Sequence, residues 1–354
     1  MKRVANAVLD LASLIRGASR GQFVGVIDFS YQHYALGDLL TSQVNLACLA
    51  VEHGCRGLDL YVIVDPAAPA ARAQPFITPD NYLTHLDNVF PALLVSPLLR
   101  SIRLIRDPLT AGLSLLSLIA SRVPMWPPVF DHLRRRMTYP LDHRIINRFH
   151  RAHGYVPTLG APRGYAGWAR RFIQQHYAGR FLVCINPRQS RLTHTPAVTH
   201  RDAPLAEWYE FLRVVGRRYP DVHFFMLGGF AEWEHTLLTL DNVSIPRTMG
   251  LTLAHELALL VASSLFMGTS SGFATMATFS GVPYVITYIE PLFAKYAGVE
   301  PNAARYPFAG ANQYLVWRRE DARLLLRYFQ RIYHEPGAAP GEGPSPMRIA
   351  PARP

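Results

Sequence analysis

The sequence predicts an α/β protein made of two successive halves, each a parallel sheet covered by helices. Three observations predict it. Short runs such as FVGVID (23–28) and FLVCIN (181–186) are apolar without a break, helix-spaced segments separate them, and this alternation occurs twice along the chain over similar lengths. A strand apolar at every position is buried on both faces, which is the condition of a parallel sheet between helical layers. With 354 residues, the chain has room for two domains of about 100–200 residues each. Its 49% hydrophobic and 17% charged content suits a packed core and argues against a disordered scaffold.

In the first half, FVGVID leads through a polar turn into a helix starting near Gly37-Asp38, and LDLYVIVD (58–65) and IRLIR (102–106) read as the next strands. Residues 124–142 hold four prolines and the cluster Arg134-Arg135-Arg136, and read as the irregular end of this half. The second half opens with FLVCIN and the loop NPRQSRLTHTPAVTHRDA. A helix follows, with Asp202 as expected N-cap, Pro204 in the first turn, and Leu205, Trp208, Leu212 and Val215 at helical spacing. Then come strand VHFFML (222–227), a helix over about 231–240, a short strand NVSI and a helix over about 252–262. Strand SLFMG runs into TSSGFATMATFSGVP, PYVITY (283–288) is the last clear strand, and a helix over about 320–333 closes the series. The expected layout is a first domain over 1–160, a second over 178–334 and a disordered Pro/Gly/Ala-rich tail over 335–354. Together these describe two Rossmann-like halves facing each other across a cleft.

A formal charge of +11 favours anionic partners. Nucleic acid ranks last among them, because the arginines are scattered and no zinc-finger spacing, basic zipper or aromatic-basic ribonucleoprotein motif occurs. Cys48, Cys55 and Cys184 form no CxxC pair and read as small core residues of a protein in a reducing cytoplasm. Val4, Val8, Leu11 and Ile15 share one helical face, and Asp10 excludes a signal-peptide core. That helix packs on its own domain or, alternatively, touches an anionic membrane peripherally. The apolar stretch over 111–123 falls short of the roughly 20 residues that span a bilayer.

The candidate chemistry lies at strand ends. Gly268-Thr269-Ser270-Ser271-Gly272 links strand SLFMG to a helix. A helix start there aims unpaired N–H groups and the positive dipole end outward, which suits a diphosphate; an ordinary hydroxyl cap accounts for the same residues. Asn186-Pro187-Arg188 and Gly228-Gly229 follow two further strands, and in a parallel sheet all three ends open on one edge. Arg188 there suits a forked contact to phosphate, or is a surface arginine.

Two segments carry a resemblance. SSLFMGTSSGFATMATFSGVPYVITYIEP (263–291) looks like the donor-binding region of glycosyltransferase-B enzymes, with a strand, small-residue turn, helix and G-V-P strand in that order. Ala35-Leu36-Gly37-Asp38-Leu39-Leu40-Thr41 is similar to the Gly-Asp helix start of bacterial heptosyltransferase-like enzymes, where the aspartate is thought to act as base. The turn departs from that family's Asp-Thr-Gly, having Thr269-Ser270-Ser271-Gly272 and Thr275; the Asn-Pro-Arg loop resembles instead the His-x-Arg loop of fucosyltransferase-like enzymes, with Asn186 in the histidine's place. The resemblance implies Asp38 as general base, with His33 as the other candidate, and Glu290 on the ribose hydroxyls. A dipole-stabilised helix-start acid accounts equally for Asp38, and a helix-start acid before Pro291 for Glu290. His194 and His200 are further loop residues able to close over phosphates.

No Asp-x-Asp, GxxxxGK[ST], GxSxG or HExxH occurs, and no GxGxxG follows the first strand. The resemblance implies a transferase that takes a nucleoside-diphosphate sugar as substrate and a glycan or lipid-linked acceptor, and the absent motifs add the expectation of no metal and no cofactor. Such a transferase is of the hexosyl-, deoxyhexosyl- or heptosyl- class and acts in polysaccharide biosynthesis. A nucleotide-sugar epimerase on the same fold and a non-catalytic nucleotide-sugar-binding protein are the alternatives.

Overall fold

Every paired strand of the structure runs parallel to its neighbours, in two separate sheets. The computed structural model describes residues 21–70, 74–128, 143–189, 202–229, 235–289 and 291–334. The chain divides into two compact units, Met1–Arg163 with Pro291–Pro301, and Gly164–Glu290 with Asn302–Pro354.

The first unit contains β1 (Gln22–Asp28), α1 (Leu36–Glu52), β2 (Gly57–Ile63), α2 (Tyr82–Val89), β3 (Leu99–Ile105), α3 (Pro108–Ala120), β4 (Met125–Trp126) and α4 (Arg144–His153). Its sheet order is β3-β2-β1-β4. β1 and β2 are buried at every position, as their unbroken apolar runs require, whereas edge strand β3 is only partly covered. α3 begins where the Asp107 carboxylate accepts the Thr110 N–H at 2.8 Å and Pro108 supplies a helical φ. Its inner residues Ala111, Leu115 and Leu118 pack on Val24, Val26, Tyr61, Ile63 and Ile105, and each fully buried leucine is worth about 1.5–3 kcal/mol. A later segment, α9 (Pro291–Ala297), returns to this unit. The His143 N–H donates to the Tyr296 carbonyl at 3.0 Å, and the Asn147 side-chain amide to the Ala297 carbonyl at 2.9 Å.

The second unit contains α5 (Tyr165–His176), β5 (Phe181–Asn186), α6 (Leu205–Arg218), β6 (Val222–Met226), β7 (Val243–Ser244), α7 (Leu253–Ala262), β8 (Leu265–Thr269), α8 (Gly272–Ser280), β9 (Tyr284–Thr287), β10 (Gln313–Val316) and α10 (Ala322–His334). Trp208, Phe211, Leu212 and Val215 of α6 join Leu325 and Phe329 of α10 over Val183, Ile185, Leu265, Met267 and Val285 of the sheet. Three of the four helix positions predicted from spacing thus lie in the core, and Leu205 is half-buried.

The sheet order β10-β9-β8-β5-β6-β7 defines where a ligand can enter. The chain steps from β5 to β6 and β7, then crosses back over β5 to place β8 on its other side. The first unit does the same around β1, with β2 and β3 to one side and β4 to the other. Where the direction reverses, the two flanking connections leave opposite faces and open a crevice at the carboxyl ends of the central strands.

The sequence reading needs four corrections. α6 is capped by Pro204 and not by Asp202, which is buried with its carbonyl accepting from Arg319 at 3.3 Å. Residues His235–Thr239 form a 3-10 turn where a helix was expected. PYVITY is not the last strand, because β10 follows it; β4 also escaped, and α9 was offered only as a helix start at Pro291. β4 and β10 have two and four residues, too few for a period to show, and only pairing with β1 and β9 makes them strands. The expectations for the N-terminal helix, the Arg134-Arg135-Arg136 cluster, His194, His200, Glu290 and the tail over 335–354 fall outside the described residues.

Candidate functional site

In the second unit the crevice lies between the ends of β5 and β8, whose last pairing sets Asn186 opposite Gly268. The backbones meet closely there. A Cβ on residue 268 would stand 2.6 Å from the Asn186 carbonyl oxygen, a contact with backbone that cannot move aside. Glycine is therefore required at this position by packing alone. Asn186 is buried and donates its side-chain amide to the Leu227 carbonyl at 2.8 Å, tying β5 to the end of β6. One residue past Pro187, the Arg188 N–H donates to Thr269 Oγ1 at 3.0 Å, tying the β5 loop to the end of β8. The half-buried Arg188 is thereby held over the β5–β8 junction.

β8 turns directly into α8. Ser271 is the N-cap, its hydroxyl accepting the Ala274 N–H at 3.3 Å. Thr275 Oγ1 donates back to the Ser271 carbonyl at 3.3 Å, and Thr287 Oγ1 donates to the Gly268 carbonyl at 3.2 Å. These hydroxyls thus fix the shape of the turn. The N–H groups of Gly272 and Phe273, in the first helical turn, lack a carbonyl acceptor within the helix.

The third strand end is organised by a residue the sequence reading missed. Gly228, just past β6, has φ +126°, a conformation that favours glycine. Its N–H donates to the Glu256 carboxylate of α7 at 2.9 Å, and the other Glu256 oxygen receives Arg247 at 2.8–2.9 Å. Glu256 is fully buried. The signal that could have found it is a lone carboxylate amid the apolar LAHELALLVA. Gly229, by contrast, has open space where its Cβ would be. Glu320, also missed, accepts the Trp208 indole N–H at 3.0 Å and so ties the start of α6 to the segment after β10; burial pushes its carboxyl up from the ordinary glutamate range.

In the first unit the crevice lies beyond β1 and β4, and the loop leaving β1 leads into α1. His33 Nδ1 and Asp38 Oδ2 are 3.2 Å apart, so the structure brings together the two residues considered separately as bases. Asp38 sits in the first turn of α1. The hydrogen bond to Asp38 raises the His33 pKa above its usual value, against an opposing effect of burial.

Among the described residues, no group of three or more His, Cys, Asp or Glu side chains could hold a metal ion, and no helix is long and apolar enough to cross a membrane. The three cysteines are free and buried.

The two parallel-sheet α/β units match the glycosyltransferase-B fold, and solved structures share it. The glycosyl transferase family 9 protein from Veillonella parvula superposes with a TM-score of 0.52 at 10% identity, over 90% of this chain and 98% of that one. The ADP-heptose LPS heptosyltransferase II from E. coli does so with a TM-score of 0.54 at 11% identity, over 90% of this chain and all of the other. No family model matches the sequence, and no curated protein matches it either. At such identities the likeness is one of fold.

Proposed function

We propose that this protein is a glycosyltransferase that moves a sugar from a nucleoside diphosphate to a hydroxyl of a glycan or glycolipid without a metal ion. The observation that carries the reading is the second unit's β5–β8 junction, where Arg188, the Gly268–Gly272 turn and the first turn of α8 meet at a reversal of strand order. A guanidinium beside main-chain N–H groups of a helix start is suited to a diphosphate. The donor binds there. As the bond between the anomeric carbon and the diphosphate oxygen breaks, these fixed dipoles and the Arg188 charge stabilise the negative charge growing on the leaving group, with no rearrangement of their own. Glu290 remains the proposed acceptor for the ribose hydroxyls.

The first unit supplies the other requirement, a base for the acceptor hydroxyl, in the His33–Asp38 pair. This pair favours a transferase over an epimerase or a silent binding protein, because a titratable dyad on a separate sheet serves a second substrate. The fold likeness to a heptosyltransferase named for ADP-heptose supports a nucleotide-sugar donor.

The test is thermal-shift binding of wild type and Arg188→Ala against a panel of nucleoside diphosphates and their sugars. One nucleotide is expected to stabilise the wild type by about 2.7 kcal/mol at a hundredfold excess over Kd, and the variant to lose most of this. If no nucleotide shifts the folded wild type, the donor site is wrong.

A further inference from the structure

The last helix of the second unit carries a row of positive charge. Arg323, Arg327 and Arg331 follow one another at four-residue steps along α10, each about 6 Å further up the axis. All three are exposed, whereas Leu324, Leu325, Phe329 and Ile332 on the other side of the helix are buried. Like charges four residues apart repel, and Arg323 in the first turn also opposes the helix dipole. Of the three, only Arg331 in the last turn is favoured by that dipole.

A fourth guanidinium joins the row at edge strand β10. The Leu315 N–H donates to the Ala304 carbonyl at 2.8 Å, which lays the segment holding Arg305 along the open side of the strand. Arg305 and Arg331 each stand 4.9 Å from the centroid of the Tyr314 ring, so a single buried tyrosine holds both charges. None of the four arginines forms an ion pair among the described residues. The carboxylates that touch α10 have other partners. Asp321 accepts the Leu324 N–H at 2.7 Å, Glu207 the Ala322 N–H at 2.8 Å, and Asp221 the Tyr333 hydroxyl at 2.9 Å.

We propose that α10 and the Arg305 segment form a docking surface for an anionic lipid bilayer, bound through its phosphate headgroups. Guanidinium forks match phosphate oxygens, and a membrane presents many phosphates to a row of charges without requiring a register. Two other partners fit less well. A base of single-stranded nucleic acid needs an open ring to stack on, but Tyr314 lies under two guanidiniums and Tyr328 packs against it with centroids 5.5 Å apart. A protein partner needs an apolar centre to its interface, and none of the large apolar residues exposed among the described residues belongs to α10 or β10. The same lack of exposed apolar side chains keeps the contact at headgroup level, without insertion into the acyl region. This surface does not depend on the transferase reading.

The experiment sediments the full-length protein with vesicles of phosphatidylcholine alone and of phosphatidylcholine mixed with phosphatidylglycerol. The wild type should bind the anionic vesicles only, and should be released as salt rises. Arg323→Gln/Arg327→Gln/Arg331→Gln should weaken that binding about a hundredfold, at about fivefold for each charge removed, while circular dichroism shows the fold intact. The corresponding lysine triple should keep most of the binding. Arg151→Gln/Arg170→Gln/Arg171→Gln removes as much charge from exposed positions of α4 and α5 and should bind nearly as well as the wild type. Equal losses in the two glutamine triples would mean that net charge draws the protein to lipid, and overturn the proposal. Equal binding to neutral and anionic vesicles overturns it too, as does no binding to either at low salt. If an oligonucleotide is held through these three arginines and anionic vesicles are not, the row belongs to nucleic acid instead.

Discussion

The two sheet ends share a topology and differ in chemistry. At β5–β8 the side chains are spent on one another. Asn186 holds Leu227, Thr269 holds Arg188, Ser271 caps α8 and Glu256 holds both Gly228 and Arg247. What remains beside them is the backbone N–H of the first turn of α8 and the half-buried Arg188. At β1–β4 a titratable pair forms between half-buried His33 of a pinned loop and buried Asp38 of α1. The first arrangement suits binding of a fixed negative charge, because dipoles locked in place pay no reorganisation when the ligand arrives. The second suits moving a proton, which needs a group able to change its charge. The same reversal of strand order thus carries two different polar arrangements, one bound up in the fold's own hydrogen bonds and one holding a titratable pair.

If that contrast is right, substitutions at the second unit's end should be read first in stability, and those at the first unit's end in chemistry. Glu256→Ala should show the largest loss, about 3–5 kcal/mol, because it leaves the Arg247 charge and the Gly228 N–H unmatched in a buried place. Denaturant unfolding measures it, and a loss below 1 kcal/mol would mean that the pair does not hold the β6 turn. Gly268→Val should cost about 1–3 kcal/mol through its clash with the Asn186 carbonyl and should abolish nucleotide-induced stabilisation, read in the same thermal-shift assay. Ser271→Ala, removing an N-cap, should cost about 1 kcal/mol and leave nucleotide binding measurable.

Two histidines sharpen the comparison with opposite signs. Burial lowers the His223 pKa to about 4, while the ring bonds Ser244 Oγ at 2.9 Å. Because the unfolded ring binds its proton at higher pH, the neutral buried form stabilises the fold above about 6.5. That stability is lost as pH falls toward 4. His223→Gln should therefore flatten the decline of Tm between neutral pH and pH 5. His33 is the reverse case. Its raised pKa gives stability that is full below the unfolded value and disappears as pH rises through the folded one. Asp38→Asn should remove this contribution, narrowing the gap to His33→Ala at acid pH and changing nothing at pH 9. It is the smallest effect of the set, since His33 keeps 24% of its side chain in water, which screens the pair.

Strand cores such as FVGVID, FLVCIN and VHFFML, and the buried face of α6, were legible because burial leaves a mark at each residue and repeats at a fixed spacing. So were the strand ends, since a polar turn after an apolar run is a local event. The sequence by itself therefore determined that this protein is α/β, doubled, and polar at the carboxyl ends of its strands. The tertiary structure decided which residues meet at those ends. β4 and β10 exist only through partners distant along the chain. The reversal of strand order that marks each crevice is a property of the assembled sheet. Glu256 reaches Gly228 across 28 residues and Arg188 reaches Thr269 across 81. Even His33 and Asp38, five residues apart, could be named as rivals from sequence but not as a pair. The periodicity of a chain records which residues leave water, whereas hydrogen bonds between side chains depend on directions and distances of a few tenths of an ångström that only the packed backbone fixes.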